Sequence, residues 1–349
     1  MPMLTQYLDD LEQRIDSRME ETLYEAWTDF ALGRFTGPVF QPRRERPVPP
    51  GLTWPAIRIN AAIKDPEAMV FRQFKTCSDV LAGGGGSLLA VRADYGTGIL
   101  PSLFGAELFM MDDALDTLPT TRPMQGADSA RALLDAGVPD LHGGFGGKVF
   151  DIGRRFRDIL SAYPAIGRHV HVYHPDAQGP LDVCELIWGS SIFEAFYLEA
   201  DLVTDLLDLI TQTYIDFLRE WYALFPPRDS VAVQWGLLHR GTIMIRNDSA
   251  MNLSAEMYKQ FAQPFDARCL ECLGGGGVHF CGRGDHYIEA MSTTPGLTAI
   301  NLSQPELNDM EVIFAHTVDK GIALIGLTPD AARAALDAGR DLHGLVHTP

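Results

Sequence analysis

The chain predicts an α/β fold: a (β/α)8 TIM barrel preceded by extra N-terminal helices. Three observations predict it. From about residue 86 onward, short apolar runs alternate with helical segments, which implies parallel strands joined by right-handed crossovers. About eight such runs recur, favouring a closed barrel over an open doubly wound sheet. The length of 349 residues, with 46% hydrophobic and 21% charged content, suits a soluble barrel of ordinary composition. The expected division is 1–85, N-terminal helices and a Pro-rich strap packed on the barrel, and 86–349, the barrel itself.

The elements follow in order. Leu4, Leu8, Leu11, Ile15, Met19, Leu23 and Trp27 recur at steps of three and four, so the first 35 residues read as one long amphipathic helix. Its stripe must bury against the barrel's exterior or a second subunit, the latter making a homodimer. Residues 36–56 are too Pro-rich for a regular element and read as an extended strap, with Arg43, Arg44 and Arg46 in solvent. A helix over about 66–81 ends at Gly83–Gly86. Strands are expected at 87–92, 169–173, 231–235, 243–246, 277–281, 298–302, 322–327 and 342–347. Helices are expected over roughly 149–162, 183–197, 202–224, 254–273, 285–291, 309–320 and 329–338.

Composition narrows the function. A net charge of −18 with neutral histidines repels a phosphate backbone and argues against nucleic acid. No apolar run approaches the roughly 20 residues that span a bilayer. The N-terminus MPMLTQYLDDLEQR is acidic and lacks the basic start and apolar core of a secretion signal, so a cytoplasmic location is expected. Five scattered cysteines, Cys77, Cys184, Cys269, Cys272 and Cys281, are no disulfide framework; they read as reduced thiols or metal ligands.

The most informative segment is GGGGVHFCGRGD, residues 274–285. In a strand, i and i+2 share a face, so His279 and Cys281 project side by side from a strand end. Zinc takes His nitrogen and Cys sulfur, and a catalytic zinc needs three protein ligands and an open position. The same pair also fits a packed core. Barrel active sites lie at the strands' C-terminal ends. That places Asp94, the HPDAQGPLD run after Tyr173, Gln234–Arg240, Asn247–Asp248 and Asn301–Gln304 beside the pair.

Asp94 and Asp248 are candidate catalytic groups; the alternative for each is hydrogen bonding within its own turn. His239, Arg283, Asp285 and Gln304, with Arg240 and Glu306 beside them, are candidate substrate contacts. Asp285 is also a good N-cap for a helix beginning at His286. His343 and His347, on one face of the last strand, can supply a third metal ligand. Cys269 and Cys272 continue the helical stripe of Met257, Phe261 and Phe265, so both thiols are expected in the core rather than on a metal. The GGGG runs precede strands, the wrong side for phosphate binding, and read as loops.

The segments IRNDSAMNLSAEMYKQFAQPF, GGGGVHFCGRGDHYIEAM and GLTAINLSQPE resemble the uroporphyrinogen decarboxylase superfamily. The similarity covers roughly Ser87–Leu327, strongest over Arg246–Glu306, with support in SLLAVRADYGTGILPSLFGAE and GPLDVCELIWGS. That superfamily holds the decarboxylase itself and zinc-dependent methyltransferases that demethylate methyl-corrinoid proteins onto a thiol or a folate. The resemblance implies a (β/α)8 barrel. It also implies zinc on an H-x-C pair, here His279 and Cys281, plus a distant C-terminal Cys. No Cys follows Cys281, so the third position falls to His347 or His343.

Asp94 occupies the place of the decarboxylase's tetrapyrrole-binding aspartate. However, residues 36–60 carry no counterpart of that enzyme's Arg-rich motif, and Leu186 stands where its tyrosine falls. The activity implied is zinc-dependent methyl transfer between a corrinoid, presented by a partner protein, and a thiol or similar acceptor. The alternatives are a metal-free carboxy-lyase centred on Asp94 and a non-catalytic barrel binding a small molecule.

Overall fold

The computed structural model describes residues 2–349. Two helices open it, Pro2–Arg14 and Ser17–Ala31. The stripe read as a single helix breaks at Asp16, which adopts extended backbone and whose carboxylate accepts the Met19 N–H, a side-chain N-cap. Leu8, Leu11, Ile15, Met19, Leu23 and Trp27 are buried within this one chain. Leu4, at the start of the stripe, is partly buried.

The strap that follows carries one departure from expectation. Arg44 is not in solvent. Its side chain is fully buried, holds both carboxylate oxygens of Glu20 at 2.7 Å, and donates to the carbonyls of Gly85 and Ser87. A bidentate ion pair with its remaining donors satisfied can persist in a dry interior. It clamps the strap onto the second helix and the chain entering the first strand. The next long helix, Pro66–Gly83, stops at Gly84, whose left-handed φ of 65° closes the C-cap.

The strands are β1 (Ala90–Val91), β2 (Glu107–Phe109), β3 (Thr120–Arg122), β4 (His171–Val172), β5 (Val231–Gln234), β6 (Leu237–Arg240), β7 (Ile243–Arg246), β8 (Gly276–Phe280), β9 (Leu297–Leu302) and β10 (Ala323–Leu324). β7, β8, β9 and β10 form a parallel sheet in sequence order, and β1 pairs parallel with β4. Helices lie between the parallel strands, including Pro180–Trp188, Ala200–Leu224, Gln263–Leu273 and Met310–His316. The α/β character is therefore as expected, and the pairing is parallel for β1, β4 and β7–β10, whereas the expected strand 231–235 pairs antiparallel with β6.

Several boundaries differ for identifiable reasons. The expected helix 183–197 splits at Gly189, whose φ of 88° no helix accepts. The expected helix 254–273 splits before Pro264, which lacks the N–H an unbroken helix requires. The last expected strand, 342–347, is reduced to isolated parallel bridges, Leu324 with Val346 and Phe40 with His347.

Two antiparallel ribbons, β2–β3 and β5–β6, were not foreseen. The second turns through Trp235 and Gly236, both left-handed at φ 53° and 78°, the geometry of a type I′ hairpin. Val231, Val233 and Leu238 of this hairpin share a buried cluster with Leu23, Trp27, Phe30, Phe40, Leu88, Met244 and Ala299. The hairpin therefore fills the space between the parallel sheet and the second helix. β4 does not pair with β7. Instead the His174 imidazole accepts the Met244 N–H at 3.0 Å and bonds the Pro175 carbonyl through Nδ1. No helix among the described residues is long and apolar enough to cross a membrane.

Two expectations follow. Arg44→Ala leaves a buried carboxylate and two carbonyls unpaired and should cost about 3–5 kcal/mol. The double variant Glu20→Ala/Arg44→Ala should lose clearly less than the two single losses added together, as read from urea midpoints. Second, burial pushes His174 and His239 down to about 4 and His347 to about 3. The unfolded chain takes up those protons below about pH 6.5 and the native chain does not. Unfolding free energy should therefore fall as pH drops from about 6.5 to 4, each histidine adding up to about 1.4 kcal/mol per unit. A flat urea-midpoint profile over that range would show that the rings are accessible.

Candidate metal centre

β8 is buried along its whole length in the middle of the parallel sheet. The strand begins one residue earlier than expected, at Gly276, so the end of the GGGG run belongs to it rather than to a loop, and a Cβ on Gly277 would collide with the Met244 side chain. β7 and β8 run in register with Arg246 beside His279, and the Asn247 N–H donates to the His279 carbonyl at 2.9 Å. That register carries the turn after β7 to the mouth of β8.

Asp248 opens that turn. Its Oδ1 accepts the Cys281 N–H at 2.8 Å and lies 3.5 Å from His279 Nε2. Cys281 Sγ lies 3.4 Å from the same Nε2. A nitrogen, a sulfur and a carboxylate oxygen thus converge within 4.8 Å of one another, the one group of this kind among the described residues.

The surrounding bonds aim the ligand atoms. Asn301 donates its amide N–H to the Ile325 carbonyl at 2.6 Å, which turns Oδ1 toward His279 Nδ1, also at 2.6 Å. An oxygen there requires Nδ1 to carry the proton, so the lone pair is on Nε2, facing Cys281 and Asp248. Burial lowers the His279 pKa, and burial first, then the Asp248 charge, raises that of Cys281. The unliganded pair is therefore a neutral imidazole and a protonated thiol, whose S–H donates to Nε2. Asp182, from the first turn of helix Pro180–Trp188, accepts the N–H groups of Asp248 and Ser249 at 3.0 and 2.8 Å. It is buried, and burial pushes it up to about 7.

Beside the cluster, with Arg246 in register with His279, runs a ladder of alternating charge. Arg72 and Arg92 both hold Asp94, at 3.1 and 2.7 Å. Arg92 lies 3.7 Å from Asp176, which Arg246 holds at 2.7 Å. The Arg246 guanidinium stands 4.8 Å over the Trp235 ring, and that ring packs edge-on against His279 at 5.2 Å. Trp235, at the hairpin tip, therefore forms one wall of the cluster.

The remaining expected residues fall elsewhere. Asp94 lies in the ladder, engaged by two arginines. His239 is not at a strand end: it sits on β6 opposite Ala232, buried, its Nδ1 bonded to the Arg240 carbonyl. Gln304 accepts the Gly282 N–H at 2.7 Å and shapes the loop. Asp285 does not cap a helix at His286, because that helix spans Ile288–Ser292; its carboxylate accepts the Asp309 N–H and holds the exposed Arg283 at 2.7 Å. His347 is not a third ligand. Its Nδ1 accepts the Gly326 N–H, and its ring packs 4.5 Å from Trp27. His343 pairs with Asp319 and Asp341 on the surface. Cys269 is buried as expected, but Cys272 is exposed. Asp248 stands where a third ligand was sought among histidines.

No family model matches this chain, and no curated protein is similar to it in sequence. Among solved structures, a methyltransferase from Methanosarcina mazei is similar in fold, with a TM-score of 0.61 and 19% identity over 84% of this chain and 81% of that one.

The tautomer assignment makes a prediction. Asn301→Ala should weaken cobalt(II) binding roughly 10–100-fold, the range seen for groups that orient a ligating histidine, as measured by titrating the cobalt–thiolate absorption band. An unchanged affinity would mean that something other than Asn301 orients His279.

Proposed function

We propose that the chain is a zinc-dependent methyltransferase of the uroporphyrinogen decarboxylase superfamily, built as a (β/α)8 barrel and moving a methyl group between a corrinoid and a thiol or similar acceptor. The observation that carries this reading is the convergence of Asp248, His279 and Cys281. Tetrahedral zinc places neighbouring N, O and S donors roughly 3.5 Å apart, from its usual bond lengths. Two of the three separations here, 3.4 and 3.5 Å from His279 Nε2, match that value, and the sulfur and carboxylate oxygen lie within 4.8 Å of each other, so the donors need only a small closure around an ion. Three protein donors leave a fourth position open, the arrangement of a catalytic rather than a structural site.

Zinc bound there would hold an acceptor thiol as its anion near neutral pH. The chain's own residues do the rest. His279 presents Nε2 because Asn301 fixes its proton on Nδ1. Cys281 gives up its thiol proton on binding metal, so affinity rises with pH. Asp248 adds the negative charge that a single thiolate does not supply, and Asp182 fixes the turn that carries it. Trp235 closes one side of the cluster. The metal-free reading centred on Asp94 is less well supported, because that carboxylate is tied between Arg72 and Arg92. A corrinoid is too large for the interior of such a fold and would be presented at the mouth by a partner.

The test is metal content and turnover together. Purified protein should hold one zinc per chain, and His279→Ala, Cys281→Ser and Asp248→Ala should each lose most of it. Methyl transfer from methylcobalamin to a small thiol, followed in the corrinoid spectrum, should stop on chelation and return with zinc. Zinc-free wild-type protein, or zinc content unaltered in His279→Ala, would remove the proposal.

A further inference from the structure

Because β4 pairs only with β1, the chain between its free edge and hairpin β5–β6 is not closed by backbone bonds. A cavity of about 600 Å³ opens there, within the range of small-molecule sites. Asp248, His279 and Cys281 do not line it. Its apolar wall comes from Leu88, Leu160, Val231, Val233 and Leu238.

Two histidines from one short segment give it a polar side. The His171 ring stacks on Tyr24 with centroids 5.3 Å apart and planes within 10°, and its ring nitrogens have no hydrogen-bond partner among the described residues. His169 is 93% buried by its relative exposure of 7%, and its Nε2 has no partner either. A buried ring nitrogen without a partner, as at His169, is costly, whereas His171 is half-buried and lines the cavity. Burial holds both imidazoles neutral, His171 down to about 4, so each can donate and accept.

The rim adds charge. Arg168 is tied to Glu21 at 2.6 Å, and Glu20 to Arg44. Arg157 and Arg228, also on the rim, have no acidic partner within 4.0 Å among the described residues. The carboxylates of Glu25 and Asp229 share the rim and stand exposed. Arg157 and Arg228 are both exposed at the cavity mouth.

We propose that this cavity is a second binding site, separate from the metal cluster, for a small planar aromatic molecule bearing an acidic group. The ring would lie along the Tyr24–His171 stack and the apolar wall, hydrogen-bonded to the His171 imidazole. The acid would face Arg157 and Arg228. Guanidinium suits a planar acid, and an aromatic body suits the stack.

The probe is 1-anilinonaphthalene-8-sulfonate, titrated by fluorescence into protein showing one cooperative melting transition. One saturable site per chain is expected. Arg157→Gln/Arg228→Gln should weaken it about tenfold, the worth of a lost charge-assisted bond. His171→Phe, which keeps the stack but removes both nitrogens, should weaken it too. Val233→Trp should abolish binding by filling the cavity, and Leu160→Trp serves the same purpose from the helix side should the first fail to fold. Chelation or His279→Ala should change nothing, so this site stands or falls apart from the metal reading. No saturable binding, binding indifferent to the filling variants, or binding lost with the metal ligands would overturn it.

Discussion

One hydrogen bond organises the candidate site: the Cys281 N–H to Asp248 Oδ1. It joins the ends of two neighbouring parallel strands at the point where both stop being strands. The sheet register delivers Asn247 and His279 side by side, but register ends with β7 and β8. Past that point only side chains can keep two loops together. Asp248 bonds to the loop of β8, and Asp182 grips the Asp248 turn from a third element through two backbone N–H groups. A buried carboxylate normally resists ionisation, and Asp182 reflects this in its raised pKa. The turn is thus held by a group that sits there at some electrostatic cost.

What could be read from the sequence divides along the same line. His279 and Cys281 were legible because a period of two is local; nothing beyond five residues is needed to see that they share a face. Asp248 was legible as a strand-end residue but not as a candidate ligand, since its place beside His279 depends on register between strands some thirty residues apart. The third ligand was sought in His347 by residue type alone. That histidine was instead drawn into the ring cluster of Trp27, Phe30 and Phe40. Arg44 was misplaced for the same reason: a basic, Pro-rich stretch looks solvated until Glu20 is known to lie beneath it. The turn at Trp235 was invisible because Trp is not a residue that marks a left-handed hairpin position.

That last point has physical weight. A bulky side chain at positive φ costs on the order of 1–2 kcal/mol relative to glycine or asparagine. Here the offsetting contacts are visible: the ring lies under the Arg246 guanidinium and against His279. Strain of this kind persists where the surroundings over-determine it, and it gathers at working sites. The hairpin that carries Trp235 is itself anchored at its far end in the cluster around Leu23 and Trp27. The second helix therefore braces the wall of the metal cluster from the opposite side of the sheet.

The charge ladder and the ligand cluster are neighbours with opposite electrostatic habits. In the ladder, Arg72, Arg92 and Arg246 alternate with Asp94 and Asp176, so that each carboxylate lies between two guanidinium groups. Removing any one member would strand a charge in a poorly solvated place, a change that typically costs several kcal/mol. Such residues are scaffold before they are anything else, however well placed they look from the sequence. His279 and Cys281 form no such compensated pair. Without a ligand both are neutral, their polar atoms aimed at one another and at Asp248, and the environment opposes charging either of them. A cation placed among the three would favour the thiolate and the carboxylate together. The contrast between ion-paired side chains beside the cluster and unpaired donors within it separates the frame of this site from its proposed chemistry.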